Sequence, residues 1–264
     1  MIFASDLDRT LIYSEKFLQD FTGKVTAVES GKYFSYMTER SAVLLKDVAY
    51  RAIFVPCTTR TIEQYRRIHF FQDVVTPGYA VVSNGANLLV DGLIDTGYRE
   101  KIFQLLSNDC MAGEDILKEY NKLASSLWAQ PIRNADGAFH YCIIDRDKAP
   151  LRELDDFSRW ANDQKWEVSI QGRKLYLVPR VINKWSAIKR VVEMTGAEGV
   201  FGAGDSLLDL SLIKGADCAI APAHGELYDQ YSNSGDWLFT RTSGIIAGEE
   251  ILDKVIGWIT AGQG

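Results

Sequence analysis

The sequence predicts an α/β protein: a doubly wound, Rossmann-like parallel-sheet core carrying an inserted α+β domain. Three observations predict it. Short apolar runs bounded by turn residues alternate with helix-length segments, as strands covered on both faces of a parallel sheet require. Between residues 91 and 177 this alternation gives way to strand-like runs in hairpin order. The 264 residues suffice for one main domain and a smaller insertion. The expected division is a core of residues 1–90 and 178–264, with the insertion at 91–177.

Taken in order, the core strands are expected at 2–5, 52–55, 79–83, 199–203, 218–221 and 237–240, and helices at 61–71, 184–195, 207–213 and 245–259. Two short runs, 24–29 and 32–36, joined through Ser30-Gly31, read as a β-hairpin placed to flap over the end of the first strand. Within the insertion, helical periodicity over 102–127 precedes strands at 132–134 and 139–145. A helix at 151–165 and a closing hairpin, 166–170 with 174–178, complete it.

Composition narrows the class of function. A hydrophobic content of 47% and a charged content of 24% are those of an ordinary globular protein. A formal net charge of −6 and a pI near 5.2 argue against a nucleic-acid-binding surface. Cys57, Cys110, Cys142 and Cys218 are scattered without C-x-x-C spacing, which argues against a zinc site or disulfide framework and fits a reducing interior. The start lacks the features of a signal peptide and no apolar run reaches about 18 residues, so a cytoplasmic protein without a membrane partner is expected.

Five short motifs carry polar side chains just beyond predicted strands or at the hinge of the insertion. Asp6-Leu7-Asp8-Arg9-Thr10 follows the first apolar run, and two acids so close together suit a cation or a phosphate-handling site. Gly202-Ala203-Gly204-Asp205-Ser206-Leu207-Leu208-Asp209 makes a tight strand-to-helix turn, with Asp209 about one helical turn after Asp205. Thr58-Thr59-Arg60-Thr61 offers hydroxyls and amides at a helix start, where a phosphate oxygen can bind. Asn183-Lys184 opens a helix, and Asn84-Gly85-Ala86 follows a strand. Taken singly, each is also what an ordinary turn or helix cap carries, and Thr61 with Gln64 has capping-box spacing. A nucleotide-binding loop fits poorly, because Leu207 stands where G-x-G-x-x-G needs its third glycine. In an open α/β sheet, ligands bind beyond the carboxyl ends of the strands, where these motifs would converge.

In the order Asp6-x-Asp8-x-Thr10, Thr58, Lys184, Gly204-Asp205-x-x-x-Asp209, the sequence resembles the phosphatases of the haloacid-dehalogenase (HAD) superfamily. Thr58-x-Arg60, Asn84-Gly85-Ala86 and the large α+β insertion, which would be the cap domain, make it similar to the Cof-type and sucrose-phosphate-phosphatase-like branch. The resemblance implies Asp6 as nucleophile and Mg²⁺ ligand. It implies Asp8 as general acid and base, also binding Mg²⁺ through its carbonyl. Thr58 and Lys184 would hold the phosphoryl group, Arg60 and Asn84 would contact substrate, and Asp205 and Asp209 would complete the metal set, Asp209 as ligand or as a supporting acid. Two departures stand out: Leu208 where many relatives carry Asn, and Thr59 where Gly usually precedes the Arg.

The expected function is Mg²⁺-dependent hydrolysis of a small phosphorylated metabolite, with a sugar phosphate as the leading class. A phosphomutase or phosphotransferase using the same aspartyl phosphate, and a non-catalytic regulatory module, are the alternatives. Trp128, Arg133, His140, Trp166, Lys174 and Tyr176 are the insertion's candidates for sugar contacts, with core packing or solvated surface as the competing reading of each.

Overall fold

A computed structural model describes residues 1–19, 21–29, 34–235 and 237–262. The chain divides into two compact units, Met1–Asp95 with Lys184–Gly264, and Thr96–Asn183. The first is built on a four-stranded parallel sheet in which Ile2–Ser5 lies between Ile53–Pro56 and Val200–Ala203, with Cys218–Ile220 outermost. Side chains alternate along these strands. Phe3, Phe54 and Phe201 therefore share one row on one face, with ring centroids 5.6 and 6.2 Å from Phe3. Leu45 and Val48 of the helix Glu39–Arg51 and Ile251, Val255 and Ile259 of the helix Ala247–Ala261 join the same cluster. All four strands run the same way, so Asp6, Cys57-Thr58, Gly204-Asp205 and Ala221 follow their carboxyl ends.

Several elements differ from the sequence expectation. The strand Tyr79–Val82 is not a full member of the parallel sheet. It touches that sheet through the Cys57–Val81 bridge and otherwise pairs antiparallel with Asn87–Val90, which continues to Leu93–Ile94. The last turn is Asp91-Gly92, both with positive φ (49° and 77°), as a two-residue hairpin requires. This hairpin keeps residues 91–95 in the first unit, and Lys174–Pro179 pairs wholly within the second, so the units divide at 95/96 and 183/184 rather than at 90/91 and 177/178. The helix expected over 61–71 is instead a short helix, Ile62–Arg66, followed by a π turn, Phe70–Val74, with both Phe70 and Phe71 buried. The expected strand at 237–240 reduces to one bridge, Ala221–Phe239. The hairpin near the N-terminus comprises Val25–Glu29 and Ser35–Thr38, with Tyr13–Ser14 as a third strand; its expected turn at Ser30-Gly31 and the start of its second strand at Lys32 lie outside the described residues.

In the second unit, a four-stranded antiparallel sheet holds Trp166–Gln171, Lys174–Pro179, Phe139–Ile143 and Arg133–Ala135 in that spatial order. The helices Thr96–Asp109, Gly113–Tyr120 and Leu151–Asp163 complete it. The single helical stretch expected over 102–127 is thus two helices, broken ahead of Gly113. The core is aromatic and aliphatic, with Tyr120, Trp128, Phe157, Trp166 and Leu177 buried together. Among the described residues no helix is long and apolar enough to cross a membrane.

Candidate active site

The first strand ends at Ser5, and the Asp6 N–H is drawn to the Ala203 carbonyl at 2.8 Å, so the strand pairing itself fixes where Asp6 departs. The chain then folds back sharply: the Leu7 carbonyl accepts the N–H groups of Thr10, Leu11 and Ile12, and Arg9 takes a left-handed φ of 70°. That turn lets the Thr10 hydroxyl donate to Asp6 Oδ2 at 3.2 Å. Lys184, the first residue of its helix, is fully buried and donates through Nζ to Asp6 Oδ1 at 2.6 Å and Asp209 Oδ1 at 2.5 Å.

The loop after Val200–Ala203 is set by Asp209, whose Oδ2 accepts from the Asp205 and Ser206 N–H groups and from the Ser206 hydroxyl. Gly204 is required for this closeness, since a Cβ there would stand 2.4 Å from Asp209 Cβ. Gly225, with φ of 100°, passes over Asp205, where a Cβ would meet its carbonyl oxygen at 2.7 Å. Asp209 is consequently saturated by internal donors, while the Asp205 carboxylate pairs with Arg9, whose Nε lies 3.4 Å from Oδ2. Leu208 is buried and apolar, so this position serves packing here.

Asp6, Asp205 and Asp209 each bring a carboxylate oxygen within 4.8 Å of the other two, and all three are buried. Burial lifts the Asp6 carboxyl to about 7; Lys184 opposes the shift, and Asp209 and Asp8 add to it. Burial and Asp6 likewise push Asp205 well above the usual carboxylate range, against Arg9. At Lys184 burial disfavours the charge, but Asp209 and Asp6 outweigh it and hold the ammonium above the ordinary lysine value. Three carboxyl groups thus share two cations, Lys184 and Arg9, and the crowding favours protonation of Asp6 and Asp205, protons that a bound cation would displace. An oxygen-only donor set of this kind fits a hard divalent cation such as Mg²⁺.

Thr58 stands two residues beyond the neighbouring strand, buried, its N–H bonded to the Val81 carbonyl and its carbonyl accepting from Asn84 N–H at 2.9 Å. Its hydroxyl accepts the Arg60 N–H at 3.1 Å, leaving its own hydrogen to donate. Ser83, Asn84 and Gly85 follow one another with φ of 51°, 57° and 99°, which curls this loop beneath Thr58 and buries Asn84.

Asp8 is gripped by Arg60, Nε to Oδ2 and Nη2 to Oδ1, both at 2.8 Å. Arg60 Nη1 donates to Glu29 Oε2 at 2.7 Å, so all three guanidinium nitrogens are engaged inside the protein. Burial works against the Arg60 charge, and Asp8 and Glu29 overcome it. Sequence reasoning missed Glu29 and Ser35. It also missed His224, whose Nδ1 accepts the Gly244 N–H, so that Nε2 carries the proton and donates to the Arg9 carbonyl at 2.8 Å. Among the insertion's candidates, Trp128, Trp166 and Tyr176 are buried, Arg133 and Lys174 are exposed, and His140 stacks on Trp166.

No protein-family model matches the chain. The fold it adopts is that of haloacid-dehalogenase phosphatases carrying an insertion between their core segments. Over 97% of this chain and 98% of the other, it superposes on the sucrose-phosphatase of Synechocystis sp. PCC6803, with a TM-score of 0.69 and 16% identity. A haloacid-dehalogenase subclass IIB sugar phosphatase gives a TM-score of 0.60 at 12% identity, covering 98% of this chain and 99% of the other. In sequence, a phosphoglycolate phosphatase of Staphylothermus marinus is 26% identical over 148 residues. That match spans 53% of this chain and 60% of that curated relative's length.

Proposed function

We propose that the protein is a Mg²⁺-dependent phosphomonoester hydrolase acting on a small phosphorylated metabolite, a sugar phosphate being the leading class, through a phosphorylated Asp6. The observation that carries this reading is the buried Asp6–Lys184–Asp209 arrangement beside Asp205. An acid placed with its oxygens fixed by Thr10 and Lys184 is aimed as a nucleophile, and covalent capture divides one hard hydrolysis into two easier steps. Asp6 attacks phosphorus and the ester oxygen departs with the bonding electrons, taking its proton from Asp8. Asp8 then removes a proton from the water that hydrolyses the aspartyl phosphate.

Carboxylate attack on a phosphate dianion sets like charge on like charge. Lys184, oriented by Asp209, offsets that charge on the transferring group, and the Thr58 hydroxyl has a hydrogen available for a phosphoryl oxygen. Asp6 and Asp205, with Asp209 in support, would hold Mg²⁺, which supplies further positive charge to the attacking carboxylate and the phosphoryl oxygens. The free state of Cys57, Cys110, Cys142 and Cys218 fits a reducing, cytoplasmic setting.

The test is phosphate release from a panel of sugar phosphates, phosphoglycolate and nucleotides, with and without Mg²⁺, and with Asp6→Asn as background. Sugar phosphates should turn over only with the metal, and oxygen from labelled water should enter the released phosphate. No release from any ester would end the hydrolase reading, and transfer without label would convert it to a phosphotransferase.

A further inference from the structure

We infer that Glu29 is a positioning residue: acting through Arg60, it fixes where the Asp8 carboxylate stands and thereby governs proton delivery to the leaving group. This rests on the hydrolase reading above. Glu29 ends the strand Val25–Glu29, and the register of that strand against Ser35–Thr38 shifts between Ala27 and Glu29. The shift sets two successive residues, Val28 and Glu29, into the interior, where strict alternation would send one of them to solvent. A buried carboxylate needs partners, and among the described residues Glu29 has three. Arg60 Nη1 donates at 2.7 Å and the Ser35 hydroxyl at 3.0 Å, both to Oε2, while Arg67 Nε lies 3.5 Å from Oε1. Ser35 Oγ also accepts from Arg60 Nη2 at 3.2 Å, closing a ring of bonds around one side of the guanidinium.

What remains of the guanidinium is its Nε–Nη2 edge, and that edge holds both oxygens of Asp8. Side-chain exposure falls from 46% at Asp8 to 12% at Arg60 and 2% at Glu29, so the anchor is buried and the held group stands in the open. A planar fork with its far side pinned can present its near edge in only one orientation. Without Glu29, the same positive charge would be free to turn toward the substrate phosphate. The consequence for chemistry is directional. As the P–O bond breaks and its electron pair passes to the ester oxygen, the proton must come from one Asp8 oxygen, which has first to leave Arg60 and take up that proton while the other oxygen stays on Arg60.

The experiment compares kcat/KM for two esters in the full-length protein with Mg²⁺: an alkyl sugar phosphate, whose leaving group needs the proton, and 4-nitrophenyl phosphate, whose leaving group does not. Glu29→Gln should lower the alkyl-to-aryl ratio by about tenfold or more, part of the hundredfold and greater contribution a general acid makes. Arg60→Lys keeps the charge without the fork and should shift the ratio the same way, while Glu29→Asp should recover part of it. An equal fall on both esters, or an unchanged ratio in folded variants, would mean that Glu29 serves structure alone. A crystal structure of Glu29→Gln decides the point independently of turnover: the inference requires that Arg60 loosen its two-point grip on Asp8, and an unchanged grip overturns it. Wild-type protein inactive on both esters would instead remove the hydrolase reading, leaving that structural outcome to judge the anchor.

Discussion

Both units have apolar cores, but they differ in the charge they bury. In the first, Asp6, Glu29, Lys184, Asp205 and Asp209 are charged and inside. In the second, aromatic residues aside, Ser169 is the one buried polar side chain among the described residues, and the interior is Trp166, Tyr120, Phe157, Leu177 and their neighbours. Taking charges out of water is expensive and rarely returned in full by pairing. The second unit is held without buried charges, whereas the first carries that expense in the Asp6–Lys184–Asp209 cluster and in the Arg60–Glu29 pair. The difference teaches where to look for chemistry: not at the largest core, but where stability has been given up.

Four measurements would break or sharpen this contrast. The largest effect is expected at Asp6→Asn, which should reduce turnover by at least about a thousandfold as loss of a nucleophile does. The same change should raise the melting temperature of the metal-free protein, because it removes one of three mutually repelling carboxylates. A lower melting temperature would show that the cluster stabilises rather than strains. Next, Lys184→Met leaves Asp6 and Asp209 buried without their shared cation and should destabilise by about 3–5 kcal/mol, read from denaturant unfolding. Leu177→Ala in the second unit should cost about 3 kcal/mol through cavity formation, with no dependence on pH or Mg²⁺.

The smallest effect, and the most diagnostic, is in pH. Asp6 is raised in the folded protein from an ordinary carboxylate value to about 7. Between these limits the folded state keeps a proton that the unfolded chain releases. The associated stability is therefore complete below about pH 4 and lost as pH rises through about 7. Asp205 shifts in the same direction. Metal-free protein should accordingly melt lower at pH 8 than at pH 5, and Mg²⁺ should raise the melting temperature more at pH 8. Equal increments at both pH values would mean that the carboxylates are not the metal's site.

Much of the arrangement could be read from the chain because strand ends are local signals. Asp6, Thr58 and Asp205 each sit just past an apolar run, and Lys184 opens a helix at the boundary of the insertion. What escaped depends on pairing between segments. Glu29 looks like a solvent-facing strand residue until the register shift turns it inward. Arg60, expected as a substrate contact, also has two partners in the hairpin that its sequence neighbourhood does not show. Other signals were present but unassigned. Asp91-Gly92 marks a two-residue hairpin, and Thr38 with the buried Ala42, Leu45 and Val48 marks a capped amphipathic helix over Glu39–Arg51. The helix expected over 61–71 stops at Arg66, since propensity alone does not reveal that Phe70 and Phe71 both turn inward.

The central position of the first strand has a consequence for biosynthesis. Ile2–Ser5 is made early relative to one of its two neighbours, Val200–Ala203, which follows only after the whole of Thr96–Asn183. At about 5–20 residues per second, that leaves an interval of roughly ten to forty seconds in which the strand's open edge awaits its mate. The contiguous insertion can complete its folding meanwhile. The nascent strand Ile2–Ser5, with that edge unpaired, is thus a stretch that needs shielding from premature self-association.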